Sequence, residues 1–144
     1  MSKNIDPQLR TIGGYLAIPK DAFYSIPEYQ RAYSWQIAQC DKLWSDILDY
    51  SRSNKDDHFF FGTVILSCEK DDAGNDDKRL VLIDGQQRTT TFILLLKALL
   101  IRINETIPTM PENDDSEMLL ESLKSQRQKI TSILYQVEDK YVKR

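Results

Sequence analysis

Four consecutive apolar residues, Leu80-Val81-Leu82-Ile83, run directly into Asp84-Gly85-Gln86-Gln87-Arg88-Thr89-Thr90 and then into a long apolar stretch. This order constrains the fold more than any other part of the chain. A short run that is apolar at every position reads as a strand covered on both faces, and hence a central one. Gly85 permits a sharp turn and close approach of a ligand. From Gln86 to about Asn104 apolar residues recur nearly all round a helix, a pattern that demands burial. The expected unit is a central strand, a tight turn and a buried helix.

The rest of the chain fits around that unit. Gly13-Gly14 and Pro19 read as breaks. Ala22 to Ile26 reads as a short strand ending at Pro27. Gln36 to Arg52 reads as a helix with Ser34 as a candidate cap, because Ile37, Cys40, Leu43, Trp44, Ile47 and Leu48 recur at three- and four-residue spacing. Phe59 to Cys68, aromatic and β-branched, reads as a strand. It is expected to pair with Leu80 to Ile83 as a hairpin across the acidic loop Asp71 to Asp77. Thr106 to Asp115, with Pro108 and Pro111, reads as a loop. Ser116 to Val142 reads as an amphipathic helix with Leu123, Ile130 and Val137 on one stripe and Leu120, Leu134 and Tyr141 on its neighbour. That stripe packs on the core or docks another domain. The fold class expected is α+β, a small mixed sheet packed against helices with a C-terminal amphipathic helix. Residues 1–110 are expected to form one domain and 111–144 the start of a helical region.

Composition narrows the functional classes. A chain of 144 residues holds one modest core. The net charge of −3 argues against a protein that coats DNA, which is basic over its binding face. Two cysteines, Cys40 and Cys68, make neither a disulfide framework nor a zinc site, and read as reduced thiols. The most apolar stretch, Phe92 to Ile103, is interrupted by Lys97 and Arg102 and is too short to span a bilayer. The N-terminus has no apolar segment of the signal-peptide kind. The expected location is cytoplasmic.

Two motifs carry chemistry. The first helical turn after Asp84-Gly85 has backbone N–H groups without intrahelical acceptors and a partial positive charge, which suits an anion. Gln86 and Gln87 add amide donors and acceptors, and Arg88 adds a planar fork that matches phosphate oxygens. A competing reading needs no ligand: Asp84 and Gln87, three apart, form a capping-box pattern. It leaves Arg88 unexplained, since a cation in the first turn opposes the helix dipole by about 0.3–1 kcal/mol. The second motif, Ile26-Pro27-Glu28-Tyr29-Gln30-Arg31-Ala32-Tyr33-Ser34-Trp35, repeats the Gln-Arg pair among aromatics that either pack under a loop or stack on a base. Two Gln-Arg pairs meeting at one anion would form a phosphate clamp.

These two motifs, with Phe59-Phe60-Phe61-Gly62-Thr63-Val64-Ile65-Leu66 between them, closely resemble the GmrSD-type restriction endonuclease N-terminal domain, itself similar to the ParB and sulfiredoxin fold. The resemblance covers roughly residues 20–105. It implies a pocket that binds, and in many members hydrolyses, a nucleoside triphosphate with Mg²⁺ to control cleavage of modified or foreign DNA. Gln30, Arg31, Gly62, Gly85, Gln86, Gln87, Arg88 and Thr89 would line that pocket, Gly62 from a strand passing close by. Asp84 and Arg88 are the candidates for chemistry. Partners implied are DNA, through a larger assembly, and a nuclease or helical domain. Members often carry an HNH nuclease domain, which one histidine, His58, does not supply. His58 reads as a surface loop residue. The alternatives are a non-catalytic regulatory or DNA-contacting module and a ParB-like nuclease.

Overall fold

The computed structural model describes residues 6–19, 22–53, 58–70, 76–111 and 113–135. Its elements, in chain order, are α1 (Ile12–Leu16), β1 (Phe23–Ser25), α2 (Ile37–Arg52), β2 (Ile65–Lys70), β3 (Asp76–Asp84), α3 (Gln86–Thr106), a single 3₁₀ turn (Ile107–Thr109) and α4 (Asp114–Leu134). The architecture is α+β. Two compact units are distinguished: Phe23–Leu95, and the residues up to Ala22 together with those from Leu96 onward.

The sheet belongs to Phe23–Leu95. β3 is its central strand, parallel to β1 and antiparallel to β2. The hairpin expected between β2 and β3 is present, and residues 71–75 of the expected acidic loop lie outside the described residues. β3 is longer than Leu80 to Ile83 because the ladder extends back to Asp76. Val81 and Leu82 are buried. Ile83 is not, and the register shows why. Leu66 pairs with Leu82 while Ile65 pairs with Asp84, so Ile83 has no partner on β2. A one-residue irregularity of this kind interrupts the ladder and re-aims side chains.

Phe59 to Val64 is not strand; β2 starts at Ile65. Gly62 has φ of +102°, which extended backbone does not allow. Phe59 and Phe61 are engaged elsewhere, and Phe60 between them is exposed. Phe59 packs on Tyr50 and on Phe61, and Phe61 meets the buried Phe92 edge-on at 5.6 Å. This aromatic relay ties α2, the loop and α3 together within the unit, and the chain there follows it instead of an extended ladder. His58 sits exposed before Phe59, as expected.

Ser34 does not cap α2. Gln36 takes that position, and its backbone N–H donates to the Gln39 side chain at 3.0 Å. α3 is less buried than its composition implies: Ile93, Leu94, Leu99 and Ile101 are exposed, and Phe92 and Leu100 are buried.

In the other unit the Gly13-Gly14 pair lies inside the short α1, capped by the Thr11 hydroxyl, which accepts from Gly14 N–H at 3.1 Å. Glycine is a poor helix former, so the sequence reads as a break where a cap sustains one turn. α4 starts at Asp114, two residues before the expected Ser116, because Asn113 accepts from Ser116 N–H at 2.9 Å and caps it. Ile130 is buried, and Leu120, Leu123 and Leu134 are half-buried, in line with the two stripes. Val137 and Tyr141 lie outside the described residues. Lys97 hydrogen-bonds the Tyr135 hydroxyl and lies 4.9 Å from its ring centre. No described helix is long and apolar enough to cross a membrane.

Candidate functional site

The turn between β3 and α3 is built on one glycine. Gly85 has φ of +87°, and a Cβ there would lie 2.9 Å from Val64 Cγ2. Its carbonyl accepts the first helical bond from Thr89 N–H at 2.9 Å, so Gly85 is the residue that caps α3. Asp84 therefore stands one position before the cap, and the Asp84–Gln87 capping box does not form. The amides of Gln86, Gln87 and Arg88 occupy the first turn, where helix geometry supplies no intrahelical acceptor.

Gln87 turns its side chain to the second motif. Its Oε1 accepts from Ser34 N–H at 2.7 Å, and its Nε2 donates to the Ala32 carbonyl at 3.2 Å. Gln30 Nε2 donates to the carbonyl of Ile83, the residue skipped by the β2–β3 register, at 3.0 Å. The buried Thr91 hydroxyl donates to the Gln87 carbonyl at 2.7 Å, which occupies its one proton, so the Tyr33 phenol donates to Thr91 at 3.0 Å. The Thr91 hydroxyl, which can turn its proton toward a phenolate, pulls the phenol's pKa down, whereas the bond to Cys40, burial and the nearby Cys40 sulfur raise it, with a net upward direction. Tyr33 therefore stays protonated, and a donor, at neutral pH. The Cys40 thiol is free.

The second motif is thus fastened to the start of α3, and the two Gln-Arg pairs meet. An open pocket of about 270 Å³ is lined by Gln30, Arg31 and Trp35 on one side and by Asp84 to Arg88 on the other. Arg88 Nη1 donates to the Thr63 carbonyl at 2.8 Å, and its guanidinium lies flat on Gly62, where a Cβ would come within 2.7 Å of Cζ. Gly62 is therefore near the pocket as expected, on a loop instead of a strand, behind Arg88. Arg31 is exposed and makes no hydrogen bond or ion pair with any described residue. Two arginines against one aspartate, at a helix N-terminus, favour an anion.

A family model matches residues 12–144, that of the GmrSD restriction endonuclease, N-terminal domain. The chain belongs to this family. Membership places it in a DNA-restriction, phage-defence setting. No curated protein matches it.

In this GmrSD N-terminal domain the structure gathers Gln30, Arg31, Asp84, Gly85, Gln86, Gln87 and Arg88 at one opening. Thr89 is not among them. It is 2% exposed and its hydroxyl donates to the Gly85 carbonyl at 3.0 Å, locking the turn from beneath. Trp35 belongs to the lining although its sequence signal, an aromatic beside Ser34, does not separate packing from ligand contact. Asp84 is the one carboxylate in the lining, and no cluster of three or more His, Cys, Asp or Glu side chains suited to a metal occurs among the described residues. Such a donor set fits Mg²⁺, which is commonly held by one or two carboxylates plus substrate phosphates and water, better than metals that need a full protein cage.

Proposed function

We propose that this domain binds the phosphate chain of a nucleoside triphosphate between Arg31 and Arg88 at the N-terminus of α3, within a DNA-restriction system. The supporting observation is the convergence of two sequence-distant Gln-Arg pairs on one opening. Its volume of about 270 Å³ lies just below the range of small-molecule sites, roughly 300–1,000 Å³. That suits the phosphate chain, with the nucleoside extending along the open side past Trp35. Asp84 would contribute one carboxylate oxygen to a phosphate-bound Mg²⁺ or orient a water. Mg²⁺ would neutralise phosphate charge, which is the main requirement of phosphoryl transfer.

Calorimetric titration with ATP, GTP, CTP and UTP in the presence of Mg²⁺ tests this reading. Arg31→Ala is the more informative variant because Arg31 has no structural partner among the described residues. A charge-assisted bond contributes about 1.5–3 kcal/mol, so the variant is expected to lose roughly tenfold or more in affinity. Absence of heat with all four nucleotides, on a folded chain, sinks the proposal. Phosphate release then separates an NTPase from the second reading, a regulatory module that binds without turnover and acts on DNA through a partner nuclease. The single carboxylate at the opening favours keeping that second reading in view.

A further inference from the structure

We infer that Gln87 is a positioning residue: its side-chain amide latches the 30–35 segment so that Arg31 and Trp35 face the phosphate site, and it is not itself a ligand contact. This rests on the phosphate-binding reading above for its consequence, but its geometry stands independently. A primary amide has one carbonyl and one NH₂ group, and here both ends are engaged by backbone, Oε1 by Ser34 N–H at 2.7 Å and Nε2 by the Ala32 carbonyl at 3.2 Å. The two bonded residues are Ala32 and Ser34, which flank Tyr33 and sit next to Arg31 and Trp35. Residues 26–35 include no helix or strand, so the direction of those two side chains depends on such tertiary bonds in place of a regular ladder. Gln30 bonded to Ile83 and Tyr33 bonded to Thr91 complete the attachment. Gln86 differs from its neighbour: it lines the same opening and has no hydrogen-bonded side-chain partner among the described residues. Both glutamines line the opening, but they divide two tasks: the Gln86 side chain is left open to a ligand, and the Gln87 amide is engaged by the 30–35 segment.

The test uses Gln87→Leu, which keeps the side chain's bulk and removes both bonds, and Gln87→Glu, which keeps the acceptor for Ser34 but cannot donate to Ala32 when ionised. Two readouts need no ligand. Trypsin cuts after Arg31, and loss of two backbone bonds is expected to speed cleavage at Arg31–Ala32 by about tenfold or more in Gln87→Leu. In a Trp44→Phe background the remaining tryptophan, Trp35, is expected to shift its emission to the red as it is released into water. Gln87→Glu is expected to fall between wild type and Gln87→Leu on both readouts. The third readout is calorimetry with sodium tripolyphosphate and Mg²⁺. Gln87→Leu is expected to weaken binding, and the Arg31→Ala, Gln87→Leu double variant to lose no more than about the larger single loss, because one acts through the other. Losses that add, or weakened binding with unchanged cleavage and emission, would show that Gln87 touches the anion and would overturn the inference. If wild type does not bind tripolyphosphate, the phosphate reading fails, while the cleavage and emission data still decide the latch. Should Gln87→Leu not fold, Gln87→Glu carries the same comparison: unchanged cleavage and emission there would likewise overturn the inference.

Discussion

At the scale of single residues, the site rests on positions where one atom more does harm. A Cβ on Gly62 would meet the Arg88 guanidinium at 2.7 Å, on a backbone with φ of +102°. Gly62→Ala is therefore expected to cost about 1–3 kcal/mol through backbone strain and to displace Arg88 from the Thr63 carbonyl. Urea unfolding measures the first effect and tripolyphosphate titration the second; a variant with unchanged midpoint and affinity would contradict this account of Gly62. Arg31 shows the opposite economy. It contributes nothing visible to the fold, so Arg31→Ala is expected to leave stability within about 0.5 kcal/mol of wild type while binding falls.

Secondary-structure elements meet at the junction of β3 and α3, and the strength of that junction comes from buried hydroxyls and aromatics. Thr89 and Thr91 lie on the buried side of α3's first turns, one locking Gly85 and the other receiving Tyr33. Tyr33→Phe removes one of the bonds holding the 30–35 segment and is expected to destabilise by about 1 kcal/mol. Phe92 anchors the aromatic relay, and Phe92→Ala is expected to cost about 3–5 kcal/mol. Leu94, on the same helix and 54% exposed, offers the contrast. Leu94→Glu is expected to change stability by less than about 0.5 kcal/mol. Thermal or urea unfolding of the pair tests the observed burial of α3 against the all-round burial that its composition suggests. Comparable losses in both variants would contradict the exposed face.

For the whole molecule, a ligand that binds the folded chain alone stabilises it by mass action. At a nucleotide concentration about 100 times its dissociation constant the gain is about 2.7 kcal/mol. In a chain of this length such a gain corresponds to a rise of several degrees in melting temperature. The rise is expected to shrink in Arg31→Ala at the same concentration and to diminish with added salt, since the pocket is open and its charges are screened. A melting temperature indifferent to Mg²⁺-nucleotide would argue against a site coupled to the fold. The modest net charge of −3 gives no support to DNA coating by this chain, so contact with DNA is better sought in the complete restriction assembly.

The order of apolar and polar residues was enough to determine a central strand, a glycine turn and a long helix, because each depends on local periodicity and on a residue with unusual backbone freedom. It also determined that two Gln-Arg pairs existed and that their chemistry suited phosphate. It did not determine their tasks. Asp84 and Gln87 match a capping box in spacing, but Gly85 takes the cap and the Gln87 amide crosses to Ala32 and Ser34, partners more than fifty residues away in sequence. Phe59 to Val64 has strand composition, but Phe59 and Phe61 found aromatic partners and Gly62 took a left-handed conformation against Arg88. Periodicity likewise overstates the burial of α3, since it records which residues can be covered and not which of them a neighbour covers. Local propensities are legible in sequence because they act between near residues. Which donor meets which acceptor across the chain was decided by tertiary packing alone.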